Sequence, residues 1–375
     1  MSQSLYKSTL EFLIQHSKHK PIGNHLRRLQ VFSCMISSCI RTKKSSLEGL
    51  SLPDKEELLA KDKQSESHIK QTKRWLSSKW TDWESFFAPY IGQMLLKMSE
   101  KGELIFVVDG SETASGCVTL MLSAIWRGYA IPVFWITREG SKGHFSEALH
   151  LELLAGIHEI VSILSILPKT CRIVLLGDGE FDGLRLRQRC KTLGWEFVLR
   201  TSCDKKIDCG SEMGHLGSLY PDCSVEIVFV EDACEGDNAI FWQAKEYDSP
   251  ILLLTNMDLG EMACAYYRQR FKIETLFKQL KSAGFQLHKS MVQGASRVQN
   301  LIMVIAFAFI LTFCVGIMLK KQPVEVLKKI IRADKVLTIR PITIAQKCIE
   351  KTWAIALDIF YQFSKNPFIL FYDSD

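Results

Sequence analysis

Leu301 to Leu319, LIMVIAFAFILTFCVGIML, is a run of 19 residues without a charge, and no other stretch limits the fold of this chain so severely. As a helix it is about 28 Å long and apolar all round, so lipid or the rest of the chain has to enclose it. On hydropathy alone it qualifies as a membrane span. Three features favour enclosure by protein. It is the only such run, Lys320 and Lys321 flank one side alone, and an amphipathic segment lies just before it. The expectation is a buried central helix and no membrane partner. With 375 residues, 47% of them hydrophobic, the chain has the material for a large core and for two or three folding units.

The amphipathic segment is YYRQRFKIETLFKQLKSAG, Tyr266 to Gly284. Read as one helix, it places Tyr267, Arg270, Glu274, Lys278 and Lys281 within an arc of roughly 80° along about 20 Å. Ile273, Leu276, Phe277 and Leu280 form the adjoining face, which must pack on a core. The ordinary reading of such a polar stripe is a solvated face with a Glu274 to Lys278 pair at i, i+4. A functional reading needs partners from elsewhere in the chain.

Charge and cysteine content set bounds on those partners. Residues 1–100 hold 16 Lys and Arg against 10 Asp and Glu, while the other 275 hold 31 of each, so the whole net charge of +6 belongs to the first hundred. That imbalance suits a region that meets a polyanion, and also suits plain solubility. Within it, SHIKQTKRWLSSKWTDWESFFAPY mixes Lys70, Lys73, Arg74 and Lys79 with Trp75, Trp80 and Trp83. Such a helix can grip phosphate, although packing is the commoner use of its tryptophans. SLPDKEELLAKDKQ, with Pro53 near a first turn, reads as a further helix. Twelve cysteines without a C-x-x-C pair read as free thiols of a reducing compartment. Cys203, Cys209, Cys223 and Cys234 with His215 match no standard zinc spacing. The first twenty residues lack the apolar region and cleavage site of a signal peptide.

From Glu103 the pattern becomes α/β. ELIFVVDG is a buried strand ending in Asp109, and CVTLMLSAIWRGYAIPVFWITRE gives two more strands around a turn at Arg127 and Gly128. A helix follows from about Ser146 to Leu167. CRIVLLGDGEF is a strand ending in Asp178 within a glycine-rich turn, and DGLRLRQRCKTLG and WEFVLRTS add a helix and a strand. This order predicts a mixed sheet with helices on its faces. SVEIVFVED, NAIFWQAKE and SPILLLTNMD make residues 203–258 a β-rich insertion. The expected regions are 1–98, helical; 99–202, the first part of the core; 203–258, the insertion; 259–319, the rest of the core; and 320–375, a helical C-terminal region.

Asp109 and Asp178 each stand where a buried strand leaves the sheet, and Glu274 lies on a helix packed on the same core. One strand-end aspartate is usually a turn cap. Three carboxylates brought together in partly dry surroundings repel one another and call for divalent cations, for which hard oxygen ligands suit Mg²⁺. Two such ions are the recurring device for in-line displacement at phosphorus.

These residues carry a family resemblance. VVDGS, LLGDGEFDG and YYRQRFKIETLFKQLK, in this order, resemble the DDE transposases of bacterial insertion sequences, of the insertion-sequence-four group. Its Tyr-x2-Arg-x3-Glu-x6-Lys signature is matched at every spacing by Tyr267, Arg270, Glu274 and Lys281. A weaker resemblance runs from about Glu103 to Leu319. It implies an RNase H-like mixed sheet flanked by helices, a β-rich insertion before the glutamate helix, and a helical N-terminal DNA-binding region that would include Lys70, Lys73 and Arg74. It also implies cut-and-paste transposition. Asp109, Asp178 and Glu274 would hold two Mg²⁺ ions, with Mn²⁺ as a substitute, and Tyr267, Arg270, Lys278 and Lys281 would grip phosphates. The partners would be double-stranded DNA, as terminal inverted repeats and target, and a second copy in a synaptic homodimer. The place would be the bacterial cytoplasm, with the nucleoid.

Two positions depart from the group. Gly179 stands where members often have arginine, and Ile251 where some have a tryptophan that stacks on a flipped base; Trp242 in the preceding strand is a possible substitute. Two alternatives stand beside transposition. One is a metal-dependent DNA nuclease without strand transfer, and the other is a decayed copy that only binds DNA.

Overall fold

The computed structural model describes residues 4–52, 65–114, 116–141, 145–163, 170–208, 213–218, 226–243, 247–332 and 338–366. The segment around Pro53 read as a helix, the end of the helix expected to reach Leu167, and Cys209 and Cys223 lie outside them. Six helices come first: α1 (Leu5–Gln15), α2 (Gly23–Thr42), α3 (Leu47–Leu50), α4 (Ser65–Leu76), α5 (Trp83–Phe86) and α6 (Ala88–Ser99). Local chemistry sets several of their starts. Ser4, Ser46 and Asp82 accept hydrogen bonds from backbone N–H groups of the first turns of α1, α3 and α5, and Pro89 occupies the first turn of α6.

The sheet begins with β1 (Glu103–Ala114), β2 (Cys117–Trp126) and β3 (Tyr129–Glu139), an antiparallel meander. Arg127 and Gly128 both have positive φ, as a two-residue hairpin turn requires. After α7 (Glu147–Ile163), β4 (Arg172–Gly177) pairs parallel to β1; after α8 (Leu184–Thr192), β5 (Glu196–Arg200) pairs parallel to β4. Helical crossovers are what parallel neighbours need. A mixed sheet flanked by helices is therefore present, as the sequence pattern predicts.

Residues 203–258 behave differently from a free-standing insertion. Only the ribbon β6 (Lys206–Asp208) and β7 (Met213–His215) is separate from the main sheet among the described residues, while β8 (Ile227–Cys234), β9 (Asp237–Trp242) and β10 (Ile251–Thr255) extend it. The order is β3-β2-β1-β4-β5-β10-β9-β8. The reason lies in β5, which would otherwise be an unpaired, apolar edge; the wholly buried β10 runs antiparallel along it. Arg187 of α8, fully buried, ties the extension down by pairing with Asp237 and, at 2.5 Å, with Glu235 of the β8–β9 turn. Lys191 joins Asp237 at 2.6 Å.

The rest is helical: α9 (Gly260–Tyr267), α10 (Lys272–Lys278), a π-helical turn (Gln279–Ala283), α11 (Ala295–Lys320), α12 (Val324–Lys328), α13 (Pro341–Lys351) and α14 (Trp353–Lys365). Helix α11 contains the apolar run, and every residue of 301–319 except Ile310 is buried. Protein supplies the enclosure. The Phe307 ring meets Phe12, Phe32, Phe87 and Tyr90 from the N-terminal helices, and Phe313 meets Trp126 and Tyr129 from the sheet. Gln299 accepts from the Thr137 backbone at 3.1 Å, and Asn300 donates to the Leu76 carbonyl at 3.0 Å. On the remaining side α13 crosses so closely at Gly316 that a Cβ there would collide with the Pro341 carbonyl. One apolar cluster thus runs from Leu5 to Phe363 through α11.

Phe307→Ala removes the ring on which four aromatic neighbours converge. The expected loss is about 3–5 kcal/mol of unfolding free energy. Urea denaturation of the two proteins measures it.

Candidate active site

The register of two strands brings the aspartates together. Val107 of β1 lies opposite Leu176 of β4, and Asp109 and Asp178 each come two residues later. Alternation puts both on the face of the sheet occupied by that pair. Asp178 directly follows β4, as expected, but Asp109 is not a strand end: it lies just past the last β1–β4 pair while β1 continues along β2 to Ala114, with Asp109 opposite Met121. Gly110 follows because the Phe145 ring occupies the space a Cβ would need. Asp109 Oδ1 accepts from the Gly110 N–H at 2.7 Å, and Asp178 Oδ1 accepts from the Glu180 N–H at 3.0 Å. The turn-capping role common to strand-end aspartates is therefore real for Asp178, and it fixes the carboxylate in place.

Their proximity shows in the electrostatics. Burial, and then the charge of Asp178, push the Asp109 carboxyl up to about 6; Arg270 and the Gly110 N–H pull it down, and Glu274 raises it slightly. A carboxylate held this way favours a cation.

The segment from Tyr266 to Gly284 is not one helix. Between α9 and α10 the backbone N–H groups of Gln269, Arg270, Lys272 and Ile273 bond to carbonyls three residues back, and after Lys278 the winding loosens to the π-helical turn, with the Gly284 N–H on the Gln279 carbonyl at 2.9 Å. The expected 80° stripe is broken as a result. The tightened turn aims Arg270 inward, and a long-range partner accounts for it. Arg270 Nη1 is 3.6 Å from Asp109 Oδ2, Nη2 pairs with Glu274 Oε1, and the guanidinium lies 4.3 Å from the centre of the Phe271 ring. Its side chain is 7% exposed, so the solvated-face reading fails at this residue.

The other signature residues divide. Tyr267 is buried beside the site, its hydroxyl pushed up chiefly by burial, with Arg270 and Arg200 opposing and Asp178 adding to the rise. Lys281 reaches Ser111 Oγ at 3.0 Å across a cleft of about 420 Å³. Lys278 is exposed on α10. Lys70, Lys73 and Arg74 are exposed on α4, and the structure does not bring them to the carboxylates. Arg74 instead helps to line a separate groove of about 740 Å³ with Arg27, Arg28 and Trp75. Of the three tryptophans there, Trp75 and Trp83 are core residues, and Trp80 is exposed between Arg28 and Lys79. Trp242 is fully buried against Tyr247, which removes it as a surface for a flipped base.

The sequence reading missed three residues of the site, Ser111, His150 and His288. Ser111 was open to it, since it stands two residues beyond Asp109 on the same strand face. Glu180 lines the cleft and accepts from the Phe145 N–H. His150 is buried with Nε2 3.9 Å from Glu180, its basicity lowered by burial against the pull of Glu147 and Asp178. His288 meets the Lys281 carbonyl from the far side of the π-helical turn. No local pattern marks the two histidines.

The donors suit a hard divalent cation in chemistry, and in Asp109 the buried charge that one would relieve. Their convergence is incomplete. Among the described residues no three His, Cys, Asp or Glu side chains stand together as a metal-binding group, and Glu274, 53% exposed, is paired with Arg270 instead.

No family model and no curated protein matches the chain. Among solved structures, a variant of Ciona intestinalis endonuclease V in complex with an inosine-containing DNA aligns with 51% of this chain and 96% of its own, at 11% identity and a TM-score of 0.30. Marinitoga piezophila Argonaute with guide RNA and target DNA aligns with 64% of this chain and 36% of its own, at 11% identity and a TM-score of 0.25. Likenesses this distant carry no argument about the fold or the chemistry.

The raised Asp109 pKa has a definite sign. Between about pH 4 and pH 6 the folded state holds a proton that the unfolded state has released, so this group's contribution falls as pH rises through that window. Asp109→Asn is expected to stabilise the free protein at pH 8 by about 3 kcal/mol, less whatever the lost ion pair with Arg270 contributes. Near pH 4 the gain should vanish. Melting curves at the two pH values check it.

Proposed function

We propose that this protein is a DDE transposase of the insertion-sequence-four group, cutting DNA at the ends of its element and joining the freed 3′-hydroxyl to a second phosphodiester. One observation carries the reading. Residues at the signature spacings gather around the aspartates, Arg270 between Asp109 and Glu274, and Lys281 on Ser111, two residues beyond Asp109 on β1. The strand order β3-β2-β1-β4-β5, with β1, β4 and β5 parallel and β2 antiparallel to both its neighbours, supports an RNase H-like reading of the sheet.

The chain's own residues have defined tasks in this reaction. Asp109 and Asp178 would hold the cations, with Glu274 joining them. Bound Mg²⁺, or Mn²⁺ in its place, supplies an activated water and neutralises charge on the scissile phosphate. Lys281 and Arg270 orient the DNA backbone at the cleft, the guanidinium offering two parallel donors to one phosphate. Phe145 fills the space beside Gly110 and Phe181 that beside Gly177, which fixes the backbone that carries the two aspartates. Lys70, Lys73 and Arg74, with the groove they adjoin, take the flanking duplex, and a second copy completes the synaptic pair in the bacterial nucleoid.

The deciding experiment incubates the full chain with DNA carrying the element's own ends, with and without Mg²⁺, and resolves cut from joined products. Cut ends without joined products favour a nuclease, and no cutting under any condition favours a decayed copy. Asp109→Ala, Asp178→Ala and Glu274→Ala are each expected to abolish cutting while end binding in gel-shift assays stays within a few-fold. Lys281→Ala should lose about 1.5–3 kcal/mol of charge-assisted contact, roughly a ten- to hundredfold drop in cleavage of pre-formed complexes.

A further inference from the structure

Arg270 is held as a partner of carboxylates, in a state that leaves it incomplete. Its Nη groups face Asp109 and Glu274, yet its buried Nε has no hydrogen-bond partner. Glu274 meanwhile points partly to solvent with its charge committed to Arg270. A guanidinium here does part of a metal ion's work, offsetting carboxylate repulsion, and it keeps the third carboxylate from converging.

We propose that Arg270 is a positioning residue that withholds Glu274 from the metal site until DNA arrives, and that a backbone phosphate releases Glu274 by drawing the guanidinium onto itself. A phosphate suits the exchange better than a carboxylate, since its several oxygens can take the Nε donor together with an Nη donor in a fork. The route is short and already cationic. Lys281 lies across the adjoining cleft, where an incoming phosphate would find it. Because the two binding events share one residue, linkage makes the effect reciprocal: DNA tightens metal binding and metal tightens DNA binding. The free protein is thereby kept from a fully loaded site, and hence from unprogrammed cutting. This inference rests on the function proposed above.

Metal binding tests it without reference to activity. Mn²⁺ is titrated calorimetrically into DNA-free full-length protein, as wild type, Arg270→Gln and Asp109→Asn. The expectation is about tenfold tighter binding in Arg270→Gln than in wild type, and loss of binding in Asp109→Asn. In a second titration Ca²⁺ replaces Mn²⁺ to keep the DNA intact. A short duplex should tighten Ca²⁺ binding to wild type about tenfold and leave Arg270→Gln unchanged. Equal Mn²⁺ affinity in wild type and Arg270→Gln, with binding still lost in Asp109→Asn, overturns the role of Arg270 and leaves the metal site standing. Absence of any binding sensitive to Asp109→Asn, with or without duplex, overturns the proposed function as well. Should Arg270→Gln fail to fold, the wild-type titrations decide alone, and no tightening by the duplex overturns the inference.

Discussion

A helix with no polar face cannot be left at a surface, and that constraint organises this molecule. Helix α11 must be covered along its whole length, and no single element can do so. The N-terminal helices, the β2–β3 hairpin and the C-terminal helices each cover a different side. Segments far apart in sequence therefore share one core. The sheet is held against the helical parts by hydrogen bonds as well as by packing, through Gln299 and Asn300 near the start of α11, where the backbone of β3 and the end of α4 find their partners.

On that base the site depends on a balance of charge. Asp109 and Asp178 are forced together by strand register, at the cost of raising the Asp109 carboxyl to about 6, and Arg270 moderates that cost. The break between α9 and α10 follows from the same balance, since a regular helix through residues 268–271 would not aim Arg270 as the tightened turn does. The arrangement is stable enough to persist and unsatisfied enough to change.

Much of the fold was legible in the chain because local period carried it. The strands that lead into Asp109 and Asp178, the turn at Arg127 and Gly128, and the buried helix all follow from short-range patterns. What escaped were the consequences of long-range pairing. The segments of β8, β9 and β10 read correctly as strands, but nothing local says that they continue the main sheet beside β5. The helix carrying Glu274 read as unbroken because Arg270 finds its partner Asp109 far back in the chain. His150 and His288 approach the site from two different elements, and no window of sequence contains them with the aspartates. The aspartates themselves were legible in pair because each follows an apolar strand run and precedes a glycine, although only Asp178 proves to stand at a strand end and β1 continues through Asp109 to Ala114.

The ion pairs that fasten β8 and β9 to α8 have a bearing on how this chain can vary. Arg187 lies just downstream of the turn that carries Asp178, and its Nε donates to the Asp182 carbonyl at 3.1 Å, so the guanidinium bonds both to that turn and to the hairpin tip at Glu235 and Asp237. Removing the hairpin would strand a buried positive charge at the turn that follows β4, a loss on the order of 3–5 kcal/mol. An insertion between Glu235 and Asp237 would pull the same ion pairs apart, so the turn is as constrained as the strands it joins. The extension is thus bound to the sheet that it lengthens, and a sequence can shed it only together with a change at Arg187.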